Sequence, residues 1–149
     1  MPRFEWLNRI KAIEREYAIV RLAVDLMTKT VVAGDADLPP TLDLADCRSA
    51  EAGLAATYLV RLFAEFEAAL RDYWRNIRDK TSEPPVSVLM TSIRDHCAIP
   101  DAEFGEADGI RDRRNRIVHE GLLGQSLDIA SARGALCAFL AKVHRDWPA

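Results

Sequence analysis

The chain has 149 residues, of which 49% are hydrophobic and 29% charged, and its net charge is −3. This length and composition predict one globular domain over residues 1–149. A mildly acidic chain is not coated with positive potential, so any contact with nucleic acid has to come from a local basic patch.

Neither a membrane span nor a signal peptide is predicted. The chain contains no run of about 18 apolar residues, and charged and apolar side chains alternate over its first 16 residues. Cys47, Cys97 and Cys137 are far apart and odd in number, which favours small buried residues in a reducing compartment over disulfides or zinc ligands. Together these features predict a cytoplasmic protein.

The first two apolar stripes predict two long helices. The first stripe recurs at steps of three and four along Trp6, Ile10, Ile13, Tyr17, Val20, Val24 and Met27. A linker follows over residues 33–46, which contains Gly34 and two prolines. The second stripe is Leu59, Leu62, Phe66, Leu70, Tyr73 and Ile77, and Pro84 and Pro85 stop that helix.

Three shorter helices are predicted in the rest of the chain. One carries Val86, Leu89, Ile93 and Cys97 and ends at Pro100. The next covers residues 101–120 and closes at Gly121, because glycine readily adopts the left-handed conformation that ends many helices. The last is marked by Ile129, Leu136, Phe139, Val143 and Trp147. Because no strand-like alternation occurs, the fold class is all-α, a four- to five-helix bundle with two long leading helices.

The fourth helix carries a dense run of arginines, at positions 111, 113, 114 and 116. Charge runs on helices are usually solvated faces. Asp112 and Arg116 stand four apart with the acid first, the favoured order for a helical ion pair. Arg113 and Arg116 fit this interpretation.

Arg114 does not fit the interpretation of a solvated helix face. The apolar stripe of this helix includes Ile110 and Ile117, and Arg114 lies between them where a core-facing residue is expected. A guanidinium stays charged and is costly to bury unpaired. We therefore expect a carboxylate, a subunit interface or an anionic ligand next to Arg114.

Asn115 and His119 form a second unusual pair. At a spacing of four they lie above one another on a helix, so the amide can orient the imidazole. Arg114 and His119 would lie about 140° apart on a regular helix. They converge only if the helix end distorts, or if two copies of the helix face each other across a two-fold axis.

The stretch "RNRIVH" resembles the Arg-X4-His motif of the HEPN superfamily, with Asn115 as the polar residue after the arginine. "YLVRLFAEFEAALRDYW" also resembles the second helix of many members, and the order of the helices is similar. The resemblance implies a helical bundle and metal-independent RNA cleavage by a homodimer whose two motifs form one cleft. Many such proteins are toxins of toxin–antitoxin pairs or other defence ribonucleases, so a cognate antitoxin protein is a further implied partner.

Carried over to this sequence, the resemblance makes Arg114 and His119 catalytic, with Asn115 supporting them. The residue types suit the reaction, because a histidine can move protons and an arginine can stabilise the charged phosphorane. The remaining arginines would contact the RNA backbone: Arg111, Arg113 and Arg116. One departure is Gly121, since toxins silenced by nucleotidyltransferase antitoxins often have tyrosine there.

Glu67 on the second helix is a candidate supporting acid, and either it or Glu65 could orient the motif; the simpler interpretation is a solvated carboxylate. His96 has no positioned partner in the sequence. No metal-binding motif or cofactor-binding loop appears, so we expect neither a metal nor a cofactor.

Two other functions stay open. The chain could be a non-catalytic HEPN-like module that uses its arginine-rich helix at a dimer, ligand or partner interface. It could also be a helical protein unrelated to HEPN whose arginines contact an acidic protein surface.

Overall fold

The structure is a computed structural model that describes residues 1–121, 127–143 and 147. These residues form five α-helices and contain no β-strand. The helices are α1 (Arg3–Ala33), α2 (Leu44–Asp72), α3 (Val86–Cys97), α4 (Asp101–Glu120) and α5 (Ile129–Lys142). A π-helical turn, Tyr73–Ile77, continues α2. The predicted all-α bundle with two long leading helices is confirmed.

The junction between α1 and α2 is set by local capping. Gly34 ends α1 with a left-handed φ of 76°, and its N–H donates to the carbonyls of Thr30 and Val31. At the start of α2, the side chains of Asp43 and Asp46 each accept a hydrogen bond from the other's backbone N–H, at 3.0 and 2.8 Å. This capping box starts α2 well before Leu59, the first residue of the predicted stripe.

The last predicted helix is too long. Helix α5 ends at Lys142, because Val143 has a ψ of 76° and leaves the helical conformation. Val143 and Trp147 are nevertheless buried, and the Trp147 ring lies 5.3 Å from that of Tyr73. The apolar pattern therefore predicted burial correctly but not the end of the helix.

Four helices surround the core. Helix α1 packs against α2 and α5, and α4 packs against the same two helices from the other side. Helices α1 and α4 thus lie at opposite corners, and α3 packs on α2 and α4. The centre of the core is aromatic, with the Phe66 ring 5.6 Å from Phe63 and 5.4 Å from Phe139.

Helices α1 and α2 extend beyond this core. The buried residues of α1 stop at Ile13, and those of α2 begin at Ala56. None of the residues from 14 to 55 is buried. We call residues 14–55 the helical arm.

The cysteines are free thiols. Cys97 is buried, and Cys47 and Cys137 are half-buried. Burial raises the pKa of the Cys137 thiol, which favours its neutral, less reactive form. Across the helices of the described residues, none has both the length and the apolar run needed to cross a membrane.

Asp72 joins the end of α2 to the start of α1. Its carboxylate accepts hydrogen bonds from Trp6 Nε1 at 3.0 Å and Asn76 Nδ2 at 2.6 Å. Replacing Asp72 by alanine leaves the buried Trp6 indole without its acceptor, so the free energy of unfolding should fall by about 1–3 kcal/mol in urea titrations. Asp25→Ala is the control, since among the described residues Asp25 pairs only with the exposed Lys29. An Asp72→Ala variant as stable as this control would contradict the role of the hydrogen bond.

The same contact predicts a pH dependence. Burial raises the pKa of Asp72, but the hydrogen bonds from Trp6, Asn76 and the amino terminus of Met1, together with the positive charge of that amino group, outweigh burial and lower the pKa. A carboxyl whose pKa is depressed in the folded state stabilises the fold above its unfolded pKa of about 3.9 and loses that effect as pH falls through the folded value. The stability difference between wild type and Asp72→Asn should therefore shrink below about pH 4.

Candidate functional site

The candidate site is the carboxyl-terminal half of α4. The helix stays regular to Glu120, and Gly121 caps it with a φ of 62° and an N–H bond to the Ile117 carbonyl at 3.2 Å. The predicted glycine cap is confirmed. A side chain at this position would be strained, because L-residues disfavour positive φ.

Arg114 lies on the core-facing side of α4, as the periodicity predicts. It is half-buried, one turn beyond the buried Ile110, and its Cζ lies 5.8 Å from the centre of the Phe63 ring. Its Nη1 donates to Asn115 Oδ1 at 2.9 Å. Of the three partners expected, the carboxylate is absent among the described residues. The positive charge of Arg114 is thus held in place by an amide and an aromatic face, and neither of them neutralises it.

Asn115 contacts the arginine of the motif. Its side-chain oxygen accepts from Arg114, which fixes the orientation of the amide because a guanidinium only donates. Among the described residues it has no hydrogen bond to His119. Asn115 therefore positions Arg114, in contrast to the expectation that it would orient the imidazole.

His119 is exposed on the last turn of α4. Since the helix is regular up to Glu120, Arg114 and His119 point in directions about 140° apart. Distortion of the helix end, the first of the two ways to bring them together, does not occur. A single copy of this helix does not assemble the two side chains.

The other three arginines divide into two kinds. Arg111 lies 2.8 Å from the carboxylate of Asp112, and its Nε is 3.2 Å from that of Asp108 without being aligned for a hydrogen bond. The predicted ion pair between Asp112 and Arg116 is wrong, because Asp112 pairs with Arg111 instead. Arg113 and Arg116 are exposed and have no ion pair within the described ranges.

Glu67 does not reach the motif. Its carboxylate accepts two hydrogen bonds from Arg71, one turn later on α2, at 2.6 and 2.9 Å. Glu65 is likewise paired with Arg9 of α1 at 2.8 Å. The expectation that either carboxylate supports Arg114 or His119 is therefore not met, since both have nearer cations.

Two contacts were not predicted. The first is made by Phe63, which lies under Arg114 although it is adjacent to the predicted stripe of α2 and not part of it. His96 has a partner after all, since Arg78 Nη1 lies 2.7 Å from its Nε2. A separation of 18 residues in the chain leaves no sequence signal for that pair.

Comparison with known proteins adds no relative: no family model, curated protein or solved structure matches the chain. The fold and site therefore define an all-α bundle with an arginine-rich helix end, and the HEPN resemblance stays a prediction based on the motif residues. Within the described part of the chain, no three His, Cys, Asp or Glu side chains are grouped as metal ligands would be.

Proposed function

We propose that this protein is a metal-independent endoribonuclease of the HEPN type, which acts as a homodimer with a composite cleft. The observation that most supports the proposal is the state of Arg114. This half-buried guanidinium is held by Asn115 and Phe63, and no described carboxylate neutralises it. A cytoplasmic toxin or defence enzyme with an antitoxin partner is the setting that we propose for this activity.

A phosphate is the ligand that suits Arg114. A guanidinium presents paired N–H groups that match two phosphate oxygens, and partial burial strengthens the interaction because less water screens it. Arg113 and Arg116 add two exposed charges on the same helix. The local field therefore favours a polyanion even though the whole chain is acidic.

The 2′-hydroxyl makes RNA the substrate class. In the proposed reaction His119 of one copy accepts the 2′-OH proton, O2′ attacks the adjacent phosphorus, and the bond from phosphorus to the 5′-oxygen breaks. The leaving 5′-oxygen takes up a proton from water, which gives a 2′,3′-cyclic phosphate and a 5′-OH, and the imidazolium of His119 returns its proton to the solvent. Arg114 stabilises the charge that develops on the phosphorane oxygens.

The second copy supplies the missing geometry. Arg114 and His119 of one chain diverge, so we propose that each reacting phosphate lies between Arg114 of one subunit and His119 of the other. Val118, next to His119, is an exposed apolar residue that such a pairing could cover. A two-fold axis near the end of α4 creates two equivalent pairs of this kind.

The test is cleavage of a mixed RNA pool in EDTA by wild type, Arg114→Ala and His119→Ala. The proposal expects cleavage by wild type alone, with 2′,3′-cyclic phosphate or 3′-phosphate ends. An inert wild type that is folded and dimeric would overturn it.

A non-catalytic interaction module is the second candidate, favoured by the exposure of His119 and its lack of a bond to Asn115. The variant His119→Ala separates the two functions. A catalytic histidine leaves dimerisation intact when it is removed, whereas an interface histidine weakens association.

The arginines should differ in their contribution to RNA binding. A plot of log affinity against log salt concentration falls with increasing salt. The Arg113→Gln/Arg116→Gln variant should make this slope less steep by about 1.4, because each lost phosphate contact on a single strand contributes about 0.7. Arg111→Gln is the matched control and should change the slope little, since two carboxylates already neutralise Arg111. Binding of 2′-O-methyl RNA, which resists cleavage, measures both slopes. Equal slopes for the two variants would contradict this assignment.

A further inference from the structure

A groove with a cavity volume of about 440 Å³ lies between α4 and α5. This volume falls within the range of about 300–1,000 Å³ that is usual for small-molecule sites. Both walls carry residues with groups that a ligand could contact: Glu106, Gly109, Ile110 and Arg113 on α4, and Ser131 and Gly134 on α5. We call this feature the α4–α5 groove. It adjoins the candidate site, because Arg113 belongs to both.

The walls of the α4–α5 groove leave parts of both helix backbones uncovered. Gly109 and Gly134 face the groove without side chains, and an added Cβ at either position would meet nothing within 4 Å outside its own helix. The packing of the chain itself therefore does not require glycine there. A glycine lets a ligand approach the backbone closely, and Ile110 adds an apolar surface. A flat aromatic ring such as a nucleobase fits walls of this kind.

Two opposite charges lie along the α4 wall of the groove. Glu106 and Arg113 are exposed, and neither has an ion pair within the described residues. They stand seven residues apart on the same side of α4, which places their Cα atoms about 10 Å from each other. A nucleotide has a comparable length from its phosphate to the far edge of its base. Arg113 can therefore bind the phosphate of a nucleotide whose base reaches Glu106.

The other polar side chains named in the groove accept hydrogen bonds. The carboxylate of Glu106 only accepts, and Ser131 Oγ already donates to Asp128 at 2.6 Å, so it is left as an acceptor. Guanine presents two neighbouring donors, N1–H and N2–H, which match the two oxygens of a carboxylate. Adenine and cytosine have one amino group beside a ring acceptor on that edge, and uracil has one N–H between two carbonyls. The acceptors in the groove therefore favour guanine.

We infer that the α4–α5 groove binds a guanine base of single-stranded RNA and that Glu106 selects this base. Bases in a single strand can turn out of the stack and present their Watson–Crick edges. The charges of the groove complement such a nucleotide, because the anionic phosphate lies at Arg113 and the donors of the base lie at Glu106. The class of ligand rests on the proposed function, in which Arg113 contacts the RNA backbone.

Binding of 2′-O-methyl oligouridylates, which resist cleavage, tests the selection. Each oligonucleotide has one central residue that is guanine, adenine, cytosine or uracil, and fluorescence anisotropy measures its affinity. Wild type should bind the guanine oligonucleotide about 5- to 100-fold more tightly than the other three, as expected of one bidentate pair with a base. Glu106→Gln should abolish this preference, because its amide N–H₂ opposes one of the guanine donors.

Glu5→Gln is the matched control for Glu106→Gln. It removes the same charge from an exposed position on α1, at the corner of the bundle opposite α4, and should keep the preference for guanine. Neither variant should weaken binding of the uracil oligonucleotide, since each loses a negative charge that repels RNA. Equal affinity of wild type for all four oligonucleotides, or a preference that survives in Glu106→Gln, would refute the guanine site.

Filling the groove is a second test that leaves all charges in place. Gly134→Leu should project a side chain into the groove and reduce the affinity for the guanine oligonucleotide to that for the uracil one. Gly53→Leu is the matched control, because Gly53 also lies within a helix with nothing within 4 Å of an added Cβ, and it does not line the groove. Circular dichroism verifies that both variants are helical, as expected because leucine favours helices more than glycine does. An unchanged preference for guanine in Gly134→Leu would overturn the inference.

Sequencing of the ends that wild type produces from a mixed RNA pool separates this inference from the nuclease proposal. Because Arg113 is next to Arg114, a guanine in the groove fixes which phosphate reaches Arg114, and cuts should lie at a constant offset from guanine. Cleavage without regard to guanine would overturn the guanine site alone. A wild type that prefers guanine in binding but cleaves nothing would refute the nuclease proposal alone.

Discussion

Mixing Arg114→Ala with His119→Ala should restore RNA cleavage that neither variant has alone. Each single variant should lose about 100- to 10,000-fold in rate, because removal of a general base or of the phosphate-binding cation has effects of this size. In a mixed dimer, one subunit contributes an intact Arg114 and the other an intact His119. These two residues meet in one of the two composite sites, so that site is complete.

The expected yield follows from two-fold symmetry. When the subunits exchange freely, half of the dimers are mixed and each has one complete site of two, which corresponds to about a quarter of wild-type activity. The double variant Arg114→Ala/His119→Ala mixed with wild type is the control, because every mixed dimer then lacks one residue in each site. Wild-type homodimers alone should keep that mixture at about a quarter of wild-type activity. About half of wild-type activity there, combined with no recovery in the first mixture, would show that both residues act within one subunit.

Phe66→Ala should cause the largest loss of stability. Phe66 is fully buried on α2, with Phe63 and Phe139 rings within 5.6 Å, so truncation leaves a cavity where α2 and α5 meet. Removal of a buried phenylalanine costs about 3–5 kcal/mol, which is a large part of the 5–15 kcal/mol that stabilises an ordinary domain. Urea unfolding followed by circular dichroism measures the change.

Phe4→Ala is the matched control, because the Phe4 side chain of α1 is exposed and its removal leaves no cavity. Phe66→Leu should fall between the two variants, since it keeps most of the buried volume. Equal stability of Phe66→Ala and Phe4→Ala would contradict the packing of α2 against α5.

The helices were predictable because their signals are local. The spacing of apolar residues defined the stripe of each helix, and Gly121 ended α4 where it was expected to. The start of α2 could also have been found, since Asp43 and Asp46 stand at the spacing of a capping box. Trp147 shows the limit of this reasoning, because apolar periodicity reports burial and the backbone had already left the helix.

Partner choice among charged residues was not predictable in the same way. Asp112 has arginines on the same helix at positions 111 and 116. Only the side-chain conformations decide that Asp112 pairs with Arg111. Glu67 could pair with the motif or with Arg71, and it pairs with Arg71, which lies one turn away on the same helix. Such ion pairs contribute little energy each, so no local rule selects one over another.

The amino-acid sequence by itself determined the class of fold, the position of Arg114 on the core-facing side of α4 and the end of that helix, because helical periodicity and capping act over a few residues. Only the tertiary structure decided that Phe63 lies under Arg114, that Asn115 holds the guanidinium, and that Ile19, Leu22 and Leu26 of α1 are left exposed. A helix with two apolar sides can bury either of them. The packing of α2 and α5 on α1 covers one side and leaves the other exposed.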